Sequence, residues 1–284
     1  MTGPSVTRAS PADTAEPHDF ALYHDAERTR PTPYHSGGAY FAKARDRMNR
    51  TYALVRPYVK DAVALDIGAS PFYLLHRMLG GGARRAIGVY FANDDHPLRD
   101  QPAIHSRHGK IELSHCNAEL ERLPLGENEA DVVTACEILE HFDMFPSFFA
   151  HEVRRVLKPG GYLAITVPNV ASVANILKLI ARRNIYYPYR ADHTGRHKHE
   201  YTKAQLKAFI RYLGMDVVKA GYLPSPTSDK FALRPFYRLI AALPGIRGYS
   251  PVLYILARQP DPKPESDLDI MPPALFDHAQ SIED

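Results

Sequence analysis

Two groups of side chains in this sequence have types and spacing that suit chemistry. The first is the run Ala62-Val63-Ala64-Leu65-Asp66-Ile67-Gly68-Ala69-Ser70-Pro71, an apolar stretch that ends in one acid and then in small residues. Gly68, Ala69 and Ser70 let backbone come close to a ligand, and Asp66 places a charge beside them. The second group is the run Glu137-Ile138-Leu139-Glu140-His141, in which His141 is the candidate, with the later polar segment that holds Asp192, His193, His197 and His199. Histidine titrates nearest neutrality, so His141 and His197 are equal candidates for a general base; a capping or solvated imidazole is the plainer reading of each. Asp192, His193, His197 and His199 put three imidazoles and a carboxylate within eight positions, and His197 and His199 share a side if that segment is extended. The spacing matches no strong zinc or iron signature, and no metal is assigned.

These residues need elements to hold them. Five or so apolar residues without alternation suit a parallel strand covered on both faces, and in a doubly wound sheet the loop after it lies where ligands bind. Upstream, the spacing of Tyr40, Phe41, Ala44, Met48, Tyr52, Leu54 and Val55 predicts a helix within 34–59, broken before Pro57. Downstream, Phe72 to Leu79 reads as a helix ended by Gly80-Gly81-Gly82. Further strands are expected at Ala86–Tyr90, Ile111–Cys116, Ala130–Ala135 and Tyr162–Val167, with a polar loop carrying Asn93, Asp94 and Asp95 after the first of them. Phe145 to Leu157 has helical spacing and stops at Lys158-Pro159-Gly160-Gly161. Thr202 with Gln205 forms a capping-box pattern for a helix running to Leu213. Strands alternating with helices argue for a parallel sheet with helices on both faces.

With 284 residues, 45% of them hydrophobic, the chain supports one sizeable core. The expected organisation is a disordered segment at 1–30, one domain at 31–259 with insertions at about 171–201 and 224–249, and a disordered acidic tail at 260–284. Cys116 and Cys136 are the only cysteines, which excludes a disulfide scaffold and a four-cysteine zinc site. Residues 1–30 contain neither a secretory signal nor an apolar span, so a cytoplasmic location is expected. A net charge of +3 permits an anionic acceptor and is weak evidence for nucleic acid. Between Lys178 and Lys203 seven Lys or Arg face Asp192 and Glu200, which favours a phosphate-bearing acceptor or describes a solvated basic loop. Tyr186, Tyr187 and Tyr189 could stack on a sugar or base face, or plug the core edge. Phe231 to Gly248 is basic and apolar, suiting peripheral membrane contact, a substrate lid or a homodimer face, and it is too short and interrupted to span a bilayer.

Four motifs in order, Asp66-Ile67-Gly68, Asn117-Ala118-Glu119 before Leu123-Pro124, Glu137 to His141, and Val156-Leu157-Lys158-Pro159-Gly160-Gly161, resemble the class I S-adenosylmethionine-dependent methyltransferases over about Tyr52 to Val218. The resemblance implies a Rossmann-like α/β fold with a seven-stranded sheet of order 3-2-1-4-5-7-6, strand seven antiparallel, and Met215–Tyr222 and Pro251–Arg258 as strands six and seven. It implies S-adenosyl-L-methionine as cofactor and S-adenosyl-L-homocysteine as product. Asp66 and the open backbone amides of Gly68, Ala69 and Ser70 would hold the amino acid moiety, with Glu137 also in the cofactor set. Asn117 would face the adenine amino group and Ala118 would offer its amide. Tyr90 stands where the family carries a ribose-binding acid; a phenol cannot accept bidentately, so Asp94 or Asp95 are substitutes. Asp66 as a helix cap and Asn117 as an ordinary turn are the alternatives.

Gly68-Ala69-Ser70-Pro71 and Gly195 to Thr202 resemble members that modify sugars, surface polysaccharides or natural products. The implied function is O-methylation of such a small molecule, with His141 near the cofactor methyl. The alternatives are an N-methyltransferase, an RNA methyltransferase, or a non-catalytic cofactor-binding scaffold. The glycine loop lacks the G-x-G-x-x-G spacing of a dinucleotide-binding dehydrogenase, and no RNA module is recognised.

Overall fold

A computed structural model describes residues 37–91, 101–186, 197–224 and 234–265, with Leu268, Pro272 and Leu275. The apolar run before the glycine loop forms β1 (Val63–Ile67), buried along its whole length. It pairs in parallel with β2 (Arg85–Tyr90) on one side and β5 (Ala130–Cys136) on the other, which sets Asp66 between Gly88 and Thr134. The remaining strands are β3 (Ala103–Ser106), β4 (Gly109–His115), β6 (Leu157–Pro168), β7 (Asp216–Leu223) and β8 (Val252–Arg258). The sheet order is β3-β4-β2-β1-β5-β6-β8-β7. β8 runs antiparallel to both β6 and β7.

The expected seven strands are therefore eight. Leaving β3 aside, the order is the one anticipated; β3 is an antiparallel edge strand hairpinned onto β4. It has four residues, of which only Ile104 is buried, too short a stretch for a period-two pattern to show in sequence. A second difference lies at Lys158-Pro159-Gly160-Gly161. This stretch stops the preceding helix and is also the start of β6, where the pairing jumps from Ala130–Leu157 to Val132–Tyr162 and Gly160 takes a φ of +78°. The extra residues form a bulge that a left-handed glycine allows.

Alternation along the strands sorts the core into two layers. Val63, Leu65, Ile67, Val133, Ala135, Leu163 and Ile165 face α3 (Ser147–Val156) and α5 (Lys203–Tyr212), packing on Phe149, Val153, Leu206 and Phe209. Ala64, Ala86, Val132 and Ala164 face α1 (Gly37–Val55) and α2 (Tyr73–Gly80), packing on Met48, Val55, Leu75 and Met78. The small residues on that second face admit the helices closely. They also put Asp66, Thr134 and Thr166, which share its parity, under α1.

The segment after β6 carries α4 (Val173–Ile180), capped by Ser172. α5 begins with the expected capping box, Thr202 accepting from the Gln205 amide at 3.1 Å and Gln205 from the Thr202 amide at 3.0 Å. α6 (Arg234–Ala242) precedes β8. Part of the expected tail packs: Leu268 is buried, and Lys263 donates to the Arg154 carbonyl at 2.6 Å. Residues 1–30 and Asp94 and Asp95 lie outside the described residues. Among the described residues no helix is long and apolar enough to cross a membrane.

Because Thr202 anchors the chain just after the histidine segment, Thr202→Ala is expected to cost about 1 kcal/mol of unfolding free energy, measured by urea denaturation. An unchanged midpoint would show that tertiary packing alone holds this helix start.

Candidate functional site

The carboxyl ends of β1, β5 and β6 gather acids under one arginine. Asp66 is buried, and its Oδ1 accepts from the Thr134 hydroxyl at 2.6 Å. Burial pushes its carboxyl up to about 7, with Thr134 and Arg47 opposing the shift. Arg47 reaches in from α1, 1% exposed. Its Nη1 lies 3.3 Å from Glu137 Oε1 and donates to Thr166 Oγ1 at 3.4 Å, while the Thr166 hydroxyl donates to Glu137 at 3.0 Å. Glu137 adopts a φ of +56°, strained backbone at the point where the chain leaves the carboxyl end of β5. Cys136 below it is no nucleophile, because burial and the Asp66 charge push its thiol up to about 12.

The glycine loop differs from the sequence reading in one respect. The Gly68 and Ala69 amides both donate to the Val89 carbonyl, each at 2.9 Å, so they are not the open donors expected. Gly68, with a φ of +75°, and Ser70 present exposed surface instead. Asp66 does not cap α2, whose first turn has Phe72 at its cap position and no side-chain cap. Tyr90 ends β2 with its ring buried, edge-on to Phe72 and to His115. Asn117 Oδ1 accepts from the Glu119 amide at 3.1 Å, and the Asn117 carbonyl accepts from the Leu120 and Glu121 amides. Here the turn is plain. Ala118 is buried beside it. Glu119, to which no role was given from sequence, accepts from the Asp143 and Met144 amides at 2.7 and 2.9 Å. It thereby ties the turn after β4 to the loop after β5.

After β5 a single tight turn, Leu139–His141, buries Glu140 completely. The backbone of the histidine segment docks on it, the Lys198 amide donating to the Glu140 carbonyl at 2.7 Å. This brings His141 and His197 together, ring centroids 5.1 Å apart. The Nε2 atoms of His141 and His197 lie 3.8 and 3.9 Å from Glu140 Oε1. His197 Nδ1 is 3.0 Å from Glu200 Oε1, and Glu200 Oε2 accepts from Asn175 Nδ2 at 2.7 Å. Burial, Glu137 and Glu200 hold the Glu140 carboxyl well above the ordinary range. His199 lies apart, its ring 4.6 Å from Tyr201. Asp192, His193, Tyr187 and Tyr189 are outside the described residues. Glu140 and Glu200 were missed as site residues, although each sits three positions from a residue already singled out. Beside this cluster a cavity of about 280 Å³ is lined by Leu139, Phe142, Met144, Lys198, His199 and Tyr201, among others.

Comparison with known proteins fits this geometry. Residues 65–165 match the family model described as a methyltransferase domain. The match runs from within β1 to within β6. A probable S-adenosylmethionine-dependent methyltransferase of Mycolicibacterium smegmatis is 32% identical over 87 residues, which is 31% of this chain and 31% of that protein. A Mesorhizobium loti S-adenosylmethionine-dependent methyltransferase aligns with a TM-score of 0.52 at 18% identity, covering 74% of this chain and 96% of that one. A chain from the complex between the Haloferax volcanii Trm112 methyltransferase activator and a methyltransferase aligns with a TM-score of 0.54 at 15% identity, covering 85% and 97%. These two likenesses show the fold. The donor set suits the cofactor as well: Asp66 is a buried carboxylate with too little positive charge near it, beside exposed glycine backbone, and an ammonium group answers that need.

Raising the Asp66 carboxyl from 3.8 to about 7 costs the ionised native state about 4 kcal/mol. Below pH 4 both states are protonated and nothing is lost; from pH 4 to 7 the unfolded chain ionises first, so stability falls. Asp66→Asn is therefore expected to raise unfolding free energy relative to the parent, by about 3 kcal/mol more at pH 8 than at pH 5, while abolishing S-adenosylmethionine binding. Equal effects at both pH values, with binding retained, would contradict this account of Asp66.

Proposed function

We propose that the whole chain is an S-adenosylmethionine-dependent methyltransferase that O-methylates a small molecule, a sugar or a natural-product intermediate. The observation that carries the reading is the Glu140–His141–His197 cluster, which stands at the carboxyl end of β5 beside the glycine loop. Two imidazoles against a buried carboxylate are groups that hold and take a hydroxyl proton. An amine acceptor needs only a free lone pair, and such a cluster would be superfluous for it.

In this reading Asp66 and the exposed surface of Gly68 and Ser70 receive the amino acid end of the cofactor, with Tyr90, Asn117, Ala118 and Glu137 along the rest of it. The bound cofactor supplies an activated methyl group. The chain's part is alignment and water exclusion for an in-line displacement. The acceptor hydroxyl gives its proton to His141 or His197, its oxygen bonds the methyl carbon, and the electron pair of the broken carbon–sulfur bond stays on sulfur. Arg182 and Arg183, both exposed before the histidine segment, suit a phosphate on the acceptor, and the two free cysteines suit the cytoplasm. The exposed Phe236 and Leu239 on α6 suit a second subunit or peripheral membrane contact.

Isothermal titration with S-adenosylmethionine and with S-adenosylhomocysteine is expected to give micromolar binding, with NAD giving none. In acceptor screens with labelled cofactor, His141→Ala and His197→Ala are expected to lower kcat by about 10²-fold or more without weakening cofactor binding. Full turnover in both variants would remove the histidines from the proton transfer, and no cofactor binding would remove the function.

A further inference from the structure

The carboxylate of Glu140 is hard to account for as it stands. Its side chain is 0% exposed, and among the described residues neither oxygen has a hydrogen-bond partner apart from its own backbone N–H. An unsatisfied charge this deep is among the costliest groups a fold can carry. Arg47 lowers its cost only from a distance, since its Nη1 serves Glu137 and Thr166. What faces Glu140 Oε1 is a pair of imidazole Nε2 atoms, at 3.8 and 3.9 Å.

We propose that Glu140, His141 and His197 bind a divalent transition cation. One ligand atom from each lies within 4.8 Å of the other two. Ligands about 2.1 Å from a tetrahedral ion stand about 3.4 Å apart, so a small side-chain adjustment closes the site without moving backbone. Two imidazoles and a carboxylate suit zinc, cobalt, manganese or iron rather than calcium or magnesium. Glu200 is a positioning residue: by accepting from His197 Nδ1–H it fixes the tautomer with a lone pair on Nε2, aimed at Glu140, and Asn175 holds Glu200 in turn. A carboxylate behind a ligating histidine is the usual support of a metal site. His141, with a third of its side chain exposed, leaves the ion an approach from solvent.

This inference deepens the proposed function and rests on it for the acceptor, though not for the ion. In the cation-loaded protein Glu140, His141 and His197 would hold the ion, and its positive charge would lower the pKa of the acceptor hydroxyl, whose proton would pass to water; direct transfer to imidazole is the metal-free route. The methyl transfer itself is unchanged.

The test uses untagged full-length protein stripped with a chelator and titrated with zinc(II) and cobalt(II). About one ion per chain is expected with micromolar or tighter affinity, and cobalt should show the visible absorption of a low-coordinate nitrogen–oxygen site. Glu140→Gln and His197→Ala, checked for folding by circular dichroism, are expected to weaken binding at least about 100-fold, and Glu200→Gln about 10-fold. His199→Ala should leave affinity unchanged. Absence of binding tighter than millimolar, or equal binding by Glu140→Gln, overturns the site. Ion binding in a protein that binds no S-adenosylmethionine would leave the site standing and remove the function; full methyl transfer after chelation, with cofactor binding intact, would do the reverse.

Discussion

The site is governed by an imbalance of buried charge. Asp66, Glu137 and Glu140 are all withdrawn from water at the carboxyl ends of β1 and β5, and among the described residues one guanidinium, Arg47, is buried with them. Arg47 is placed by α1, which can come down onto the sheet because Ala64, Ala86 and Ala164 leave it room. It satisfies Glu137 directly and lowers the cost of the other two from a distance. Carboxyls left short of positive charge in a low dielectric rise in pKa or take up a cation. Asp66 faces the loop where an ammonium group belongs, and Glu140 faces two imidazoles. The same imbalance thus specifies two different kinds of ligand on neighbouring strands.

Such an arrangement is destabilising in the free protein. Functional sites of this sort keep groups that a stable core would exclude, and binding relieves the strain. The surrounding architecture supplies the rigidity that this requires. β1, β2, β5 and β6 are buried parallel strands, Glu119 clamps the loop after β5 to the turn after β4, and the 197–200 segment is pinned by its backbone to Glu140. The capping box at Thr202 then turns the chain into α5. The last three of these contacts are polar, and they hold the segments that carry the chemistry.

Much of this was legible in the sequence because it rests on local patterns. The run into Asp66-Ile67-Gly68, the capping box and the order of the seven principal strands come from periodicity, caps and motif order. The meeting of His141 with His197 depends on a docking 56 positions along the chain, and residue type alone suggested it only as two separate candidates. Arg47 carried no signal at all: in a helix written as Arg45-Asp46-Arg47-Met48 it reads as surface charge, and only the alanine-lined sheet beneath draws it inward. β3 escaped because an edge strand with one buried residue has no period to read. The amides of Gly68 and Ala69 read as open, since sequence says nothing about a hydrogen bond to the Val89 carbonyl on the neighbouring strand.

The central claim is that the Asp66–Ser70 loop and the Glu140–His141–His197 cluster face one cofactor across the ends of β1 and β5. A crystal structure of the full-length protein with S-adenosylhomocysteine tests it most directly. The account predicts the amino acid moiety against Asp66 and Gly68, and the sulfur turned toward the cluster and its adjoining cavity. Binding with the sulfur directed away from Glu140, or at any other place on the fold, would contradict it.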